Sequence, residues 1–243
     1  MTLLDCRGVT KRFGGLVAVR DVSFAVGLGE IVALIGPNGA GKTTLFNCIS
    51  GVYRLTAGTL RFDGRDLAAL RRDRICRAGV GRTFQIPRPF LDLSALENVL
   101  LGAVFGKGGA SLPHARAAAQ EDLAFVGLDA KAEAPARSLT FQERRALEVA
   151  RALATRPKLL LLDEVMAGLN PTEVAGLVRL VRRIRDERGV TVLWVEHVMR
   201  AVMDLAERIV VLHQGSVVAD GPPPAVVRDP AVVEAYLGEK YVF

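Results

Sequence analysis

The segment Gly36-Pro37-Asn38-Gly39-Ala40-Gly41-Lys42-Thr43 fills every fixed position of the pattern G-x-x-x-x-G-K-[ST], and the apolar run Ile31 to Ile35 precedes it. A strand that turns through such a segment into a helix is a phosphate-binding loop in its expected setting. The residue types carry the reason. Glycines let backbone N–H groups curl around a polyphosphate, the next helix presents its positive N-terminal end, and Lys42 reaches the terminal phosphates. Thr43 stands where a hydroxyl can hold Mg²⁺. A glycine-rich turn that only links strand to helix accounts for the glycines but not for Lys42-Thr43 at the required spacing.

Around this loop, apolar runs rich in β-branched residues alternate with segments of helical period, the pattern of an α/β domain. The expected strands are Val22 to Val26, Ile31 to Ile35, Thr59 to Phe62, Leu159 to Leu162, Thr191 to Val195, Ile209 to Leu212 and Ser216 to Ala219. The helix after the loop is expected over Lys42 to Ile49, with Gly51 closing it. Between about Ile86 and Ser138 the character changes to Ala- and Leu-rich helical segments, broken by a Gly-rich turn at Gly106 to Gly109. This stretch reads as a helical subdomain inserted into the core, and the 243 residues as one large domain carrying that insertion.

Composition excludes several classes. With 50% hydrophobic and 24% charged residues the chain fills an ordinary core. No charged segment followed by an apolar stretch opens it, and no apolar run approaches the about 18 residues that span a bilayer. A cytoplasmic chain, reaching a membrane through partners, is the expectation. Cys6, Cys48 and Cys76 are far apart and lack metal-ligand spacing, so they read as ordinary reduced residues. A net charge of +6 raises the question of nucleic acid. The basic residues are dispersed without interleaved aromatics, however, so no nucleic acid is expected. Arg71, Arg72, Arg74 and Arg77 read as a solvated helix face, His114 as a loop residue after Pro113, and His213 as the end of an apolar strand.

Leu159-Leu160-Leu161-Leu162-Asp163-Glu164 is an apolar strand ending in two carboxylates. A buried strand fixes the pair at its carboxyl end beside the phosphate loop, where Asp163 can hold hydrated Mg²⁺ and Glu164 can polarise an attacking water. Thr191 to Val195 forms a second such strand and ends in Glu196-His197. His197 then sits at the same sheet edge, either as a satisfied loop histidine or within reach of a γ-phosphate.

With these landmarks the chain resembles the ATP-binding subunits of ATP-binding-cassette transporters, nearly end to end. The matching order is Phe13, the phosphate loop, Arg82-Thr83-Phe84-Gln85, the helical insert, a signature segment at Leu139 to Glu143, Asp163-Glu164, Ala167-Gly168-Leu169-Asn170 and His197. Within that family it is most similar to subunits serving uptake of branched-chain or other hydrophobic amino acids. Thr10 to Val19, Gly81 to Gln85, Ala167 to Pro171 and Ala235-Tyr236-Leu237-Gly238 carry that match. The resemblance implies a P-loop NTPase core with an antiparallel β subdomain and the inserted helical subdomain. It also implies ATP and Mg²⁺, with Gly36, Pro37, Asn38, Gly39, Ala40, Gly41, Lys42, Thr43 and Thr44 on the nucleotide and Phe13 stacked on adenine. Taken alone, Phe13 is better explained as a core aromatic. Thr43, Gln85 and Asp163 would hold the metal, while Glu164, His197, Gln85 and Lys42 would serve hydrolysis.

In that family two such domains close face to face, each ATP lying between one phosphate loop and the other chain's signature. The implied partners are a second ATPase subunit, a copy or a paralogue, two transmembrane permease subunits, and indirectly a solute-binding protein. The implied location is the cytoplasmic face of the plasma membrane. The signature departs from the family's Leu-Ser-Gly-Gly-Gln. Here it reads Leu139-Thr140-Phe141-Gln142-Glu143, so Gln142 adds a side chain where glycine lets a backbone N–H approach phosphate. Glu143 adds a negative charge, expected to be partly offset by Arg144 and Arg145, and Val165 follows Glu164 where the family usually has a small or different residue. Paired with a paralogue whose signature is intact, the chain would form two unequal sites. An exporter ATPase, for example one moving lipopolysaccharide, is the first alternative. The segment Ile86-Pro87-Arg88-Pro89-Phe90 favours the importer. A soluble ATPase acting on ribosomes or DNA is the second, and it usually has two cassettes or a coiled-coil insert.

Overall fold

The computed structural model describes residues 1–107 and 111–237, so Gly108 and Gly109 of the expected turn and Gly238 lie outside the described residues. In chain order the strands are β1 (Thr2–Phe13), β2 (Leu16–Gly27), β3 (Ile31–Ile35), β4 (Ala57–Phe62), β5 (Arg65–Asp66), β6 (Val80–Arg82), β7 (Leu159–Asp163), β8 (Thr191–Val195), β9 (Arg208–His213) and β10 (Ser216–Gly221). The helices are α1 (Lys42–Ile49), α2 (Arg72–Ala78), α3 (Ala95–Phe105), α4 (Leu112–Phe125), α5 (Phe141–Ala154), α6 (Pro171–Arg188), α7 (Met199–Leu205), α8 (Pro223–Val226) and α9 (Pro230–Leu237).

β3, β7 and β8 are buried at every residue, as strands covered on both faces must be. They belong to a six-stranded sheet of order β10-β9-β3-β8-β7-β6, parallel throughout except for β10. Leu34 and Asp163 both pair with Val195, which aligns the carboxyl ends of β3, β7 and β8 along one edge. Ligands of open α/β sheets bind outside that edge. β1 to β5, apart from β3, form an antiparallel sheet of order β2-β1-β4-β5. Its apolar face closes over α1 and one face of the parallel sheet through Leu4, Val22, Phe46, Phe62 and Leu193. The other face packs against α5, α6 and α7 around Trp194, Val149, Val181 and Val202.

The strands expected from apolar runs are present, most of them longer than their apolar cores. β1 escapes a pattern reading because it is bulged. Its pairing with β2 shifts register repeatedly, and Gly8 adopts φ +59°, so inside and outside residues do not alternate. β6 is only three residues long, too short to show a period. α1 has the expected bounds, and Gly51 with φ +71° follows its terminal Ser50. The arginines around α2 are exposed, as a solvated face requires. His114 requires a correction, because it lies in the first turn of α4 rather than in a loop. Pro113 is the second residue of that helix, where a first-turn proline gives up an N–H that has no intrahelical partner.

α3, α4 and α5 share a third core around Leu96, Val99, Leu123, Leu139, Leu147 and Ala150. α5 belongs to two cores at once, because Val149, Ala152 and Leu153 face the sheet while Leu147, Ala150 and Ala154 face α3 and α4. The N-terminus of α5, which carries the signature, is thereby fixed to both bodies. Buried Asp122 of α4 adds a polar tie. It accepts from Arg156 at 3.0 Å and lies 3.6 Å from Arg188 at the end of α6.

Candidate nucleotide-binding site

The loop between β3 and α1 is built for close approach of backbone to an anion. A Cβ on Gly36 would strike the carbonyl oxygen of Leu212, and one on Gly41 that of Ala18, so neither position admits a side chain. Gly39, with φ +82°, faces open space at the turn. α1 has no acidic residue in its first turn and no side-chain cap at Gly41, leaving its first N–H groups uncapped beside the glycines. That donor set fits a polyphosphate. Lys42 is 7% exposed, and its Nζ donates to the carbonyls of Gly36 at 2.6 Å and Pro37 at 2.9 Å. Burial holds its pKa below the usual lysine value, with the charges of Glu164 and Asp163 acting the other way. Asn38 and Thr43 are exposed, Pro37 and Thr44 half-buried, and Ala40 is buried with its carbonyl accepting from Gly215 at 3.1 Å.

Asp163 ends β7 and is 3% exposed. Its backbone N–H donates to Thr83 Oγ1 at 3.2 Å, and one carboxylate oxygen accepts from Arg82 at 2.8 Å. Glu164, next along, has φ +48°, a left-handed backbone that side-chain-bearing residues rarely adopt. Its conformation is fixed from both sides. The Glu164 N–H donates to the Val195 carbonyl at 2.9 Å, and its own carbonyl accepts from Arg145 at 3.1 Å. Arg145, on α5 and 5% exposed, also donates to the Ala167 carbonyl at 3.2 Å. Such an over-determined positive φ is how folds retain backbone strain at working sites. The Glu164 side chain accepts from Gln85 Nε2 at 2.6 Å, joining two residues singled out separately in the sequence.

Glu196, 1% exposed, accepts from the N–H groups of Met166 at 2.8 Å and His197 at 3.1 Å, which fixes the turn after Glu164 to the end of β8. His197 is exposed two residues beyond Val195, at the same sheet edge. Phe13 ends β1, is 41% exposed, and meets Tyr53 edge-on at 5.0 Å with Lys11 Nζ 4.8 Å from its ring. It is therefore not a core residue. The hairpin it opens abuts the loop through Ala18 and Gly41. Asn170 caps α6, accepting from the Glu173 N–H at 3.0 Å. Val165 is buried in the core beneath the sheet edge.

The signature corrects one expectation. Glu143 is offset by Lys131, whose Nζ lies 2.6 Å away, not by Arg144 and Arg145. Those two arginines are committed to carbonyls, Arg144 to Leu139 and Arg137, Arg145 to Glu164 and Ala167. Thr140 and Glu143 form a capping box, with Glu143 accepting from the Thr140 N–H at 2.9 Å and Thr140 Oγ1 from the Glu143 N–H at 3.3 Å. The hydrogen bonds to Lys131 and the Thr140 backbone hold the Glu143 carboxyl below its usual pKa. Glutamate at this position thus does the capping work open equally to glutamine. Gln142 is exposed at the second residue of the helix.

Arg82 and Glu196 carry the geometry of the site without a role of their own in the sequence reading, and Arg145 does so in a role other than the one expected of it. The available signal was a charged residue inside a buried run, as Arg82 follows Val80-Gly81 and Glu196 follows Thr191 to Val195. Among the described residues no group of three or more His, Cys, Asp and Glu side chains gathers into a metal site. The oxygen donors Asp163, Thr43 and Gln85 suit Mg²⁺, which takes one or two protein carboxylates and completes its shell with water and phosphate. No described helix is long and apolar enough to cross a membrane.

Comparisons with known proteins agree with this geometry. The family profile described as "ABC transporter" matches residues 19–167, and that of the "Branched-chain amino acid ATP-binding cassette transporter" matches residues 216–242. The chain is 42% identical to the high-affinity branched-chain amino acid transport ATP-binding protein BraF of Pseudomonas aeruginosa, over 98% of each chain. It is 39% identical to the lipopolysaccharide export system ATP-binding protein LptB of Acidithiobacillus ferridurans, again over 98% of each. Among solved structures, an ATP-binding cassette of an ABC transporter in its ADP conformation superposes with a TM-score of 0.88 at 30% identity, covering 98% of this chain and all of that one. A dimeric cassette bound to ADP and phosphate gives a TM-score of 0.81 at 28% identity, covering 91% of this chain and 99% of that one. With one profile spanning more than half of the sequence and a relative this similar along nearly all of it, the chain belongs to the ABC transporter family as an ATP-binding cassette, a nucleotide-binding ATPase subunit whose hydrolysis is coupled to transport.

Proposed function

We propose that the chain is the ATPase subunit of an importer for branched-chain or related hydrophobic amino acids, acting with a second cassette, two permease subunits and, outside, a solute-binding protein. It would sit at the cytoplasmic face of the membrane. The helices around residues 86–138 form the inserted subdomain facing the permeases. The nucleotide lies over Gly36 to Thr44 with Lys42 on its terminal phosphates and adenine against Phe13. Thr43, Gln85 and Asp163 would hold Mg²⁺ together with the nucleotide, where it would supply positive charge to the phosphates. Glu164 accepts the proton of the attacking water, Gln85 orients that water, and His197 contacts the γ-phosphate from the end of β8.

The observation that carries this reading is the hydrogen bond from Gln85 to Glu164, at the edge where the phosphate loop and Asp163 also end. It joins the entry to the helical insert to the residue that activates water. The match of residues 216–242 to the branched-chain profile, and a higher identity to BraF than to LptB, support import over export. The test is ATP-driven uptake of radiolabelled leucine into vesicles holding this chain with its membrane subunits and binding protein. Lys42→Ala should abolish uptake and weaken nucleotide binding, because a site built on electrostatics loses its cation. Glu164→Gln should retain ATP and lengthen the life of the dimer. Uptake or hydrolysis at wild-type rates in either variant would sink the assignment.

A further inference from the structure

Arg82 is the most heavily engaged charged side chain near the site, and hydrolysis as described above does not use it. It ends β6 with a side chain 9% exposed beside an Asp163 side chain 4% exposed. Its fork is divided. One nitrogen donates to Asn47 Oδ1 of α1 at 2.7 Å and to Ser50 Oγ just after it at 2.8 Å, and the other to Asp163 at 2.8 Å. The guanidinium carbon lies 5.2 Å from the Phe84 ring and 5.9 Å from that of Phe46, aromatic faces that suit a weakly hydrated cation. Bonds to two elements and two rings leave the charge nowhere else to go.

A fixed cation in contact with a buried carboxylate has a definite consequence for a second cation. Asp163 is already compensated by Arg82, and Lys42 lies close enough that the charges of Glu164 and Asp163 both act on it. A bare divalent ion approaching Asp163 therefore meets two positive side chains, against Glu164 and a carboxylate already paired with Arg82. The same ion carried in with a triphosphate brings the negative charge that offsets them. We propose that Arg82 is a positioning residue with an electrostatic role: it holds Asp163 against α1 and keeps the affinity of that carboxylate for a free divalent cation low, so that metal enters only together with nucleotide. Removing one partner of a buried pair leaves an uncompensated charge, and an uncompensated carboxylate at a site edge recruits a cation.

The inference rests on Asp163 being the metal carboxylate, and the experiment separates the two claims. Mn²⁺ binding is measured by electron paramagnetic resonance on the full chain, with and without a non-hydrolysable ATP analogue. In the wild type Mn²⁺ should bind well only with the analogue, and Asp163→Asn should lose that binding; if it does not, the assignment of Asp163 fails whatever Arg82 does. Arg82→Met and Arg82→Gln, the latter keeping a donor for Asp163, should each bind Mn²⁺ without nucleotide at least about tenfold more tightly than wild type. Arg82→Lys keeps the charge and should show no such gain. Adding Asp163→Asn to Arg82→Gln should remove the gain, locating it at this carboxylate. Nucleotide-free Mn²⁺ affinity within about twofold of wild type in both neutral variants, or an equal gain in Arg82→Lys, would overturn the proposal.

Discussion

Arg145→Met asks how the unusual backbone of Glu164 is held. Arg145 gives two charge-assisted hydrogen bonds, at 3.1 Å to the Glu164 carbonyl and 3.2 Å to that of Ala167, and its guanidinium lies 4.9 Å from the Phe141 ring. Bonds of this kind contribute about 1.5–3 kcal/mol each, and the ring contact about 0.5–2 kcal/mol. Against them stands the cost of burying the charge, which also holds the Arg145 pKa below its usual value. A net loss of about 2–4 kcal/mol follows for methionine, which fills the space but donates nothing. For a chain of this length that lowers Tm by roughly 5–15 °C. The effect on turnover has a separate origin. Once its carbonyl is released, Glu164 no longer has its φ of +48° fixed from both sides, and relaxation toward ordinary backbone is favoured by about 1–2 kcal/mol. Hydrolysis should fall by on the order of tenfold. Arg145→Lys should recover part of the stability but little of the rate, because a point donor cannot span two carbonyls. The assay pairs thermal melts with ATP turnover of the assembled transporter, measured well below the lower Tm. Loss of stability with unchanged turnover would show that Glu164 is positioned without Arg145 and would refute the reasoning.

Lys131→Ala should leave stability within about 1 kcal/mol, since the ion pair with Glu143 is partly exposed, yet lower turnover of the assembled dimer several-fold by baring a negative charge in the signature. Adding Glu143→Gln should restore the rate, and a double variant as slow as the single one would exclude the charge explanation. Glu148, 5% exposed on α5, is raised to about 7, mainly by burial, while the N–H groups of Phe84 and Arg88 and the charges of Arg151 and Arg145 pull the other way. With a folded pKa above the unfolded one, the native state binds the extra proton. Stability from this group is present below about pH 4.5 and is lost as pH rises through about 7, by on the order of 3 kcal/mol. Glu148→Gln should therefore gain stability relative to wild type between pH 5 and 8 in thermal melts, and parallel curves for the two proteins would count against it.

The phosphate loop was legible because its chemistry is local. Glycines, lysine and threonine adjacent in sequence, after a run of buried β-branched residues, determine strand, turn and helix with no help from distant parts of the chain. The uniformly buried strands β3, β7 and β8 were legible for the same reason, as was the carboxylate pair at the end of β7, Asp163 in the strand and Glu164 just past it. What the tertiary structure decided is who meets whom. Gln85 and Glu164 are 79 positions apart, Arg82 and Asp163 are 81 apart, and their contacts exist only because β6 and β7 lie side by side in the sheet. The partner of Glu143 was misread for a related reason. Its sequence neighbours Arg144 and Arg145 leave the helix on other bearings and satisfy carbonyls, while Lys131, 12 residues earlier, is brought back by the turn before α5. Charge compensation in a folded chain follows distance in space, and composition along the sequence carries that distance only where a single helix or strand sets it.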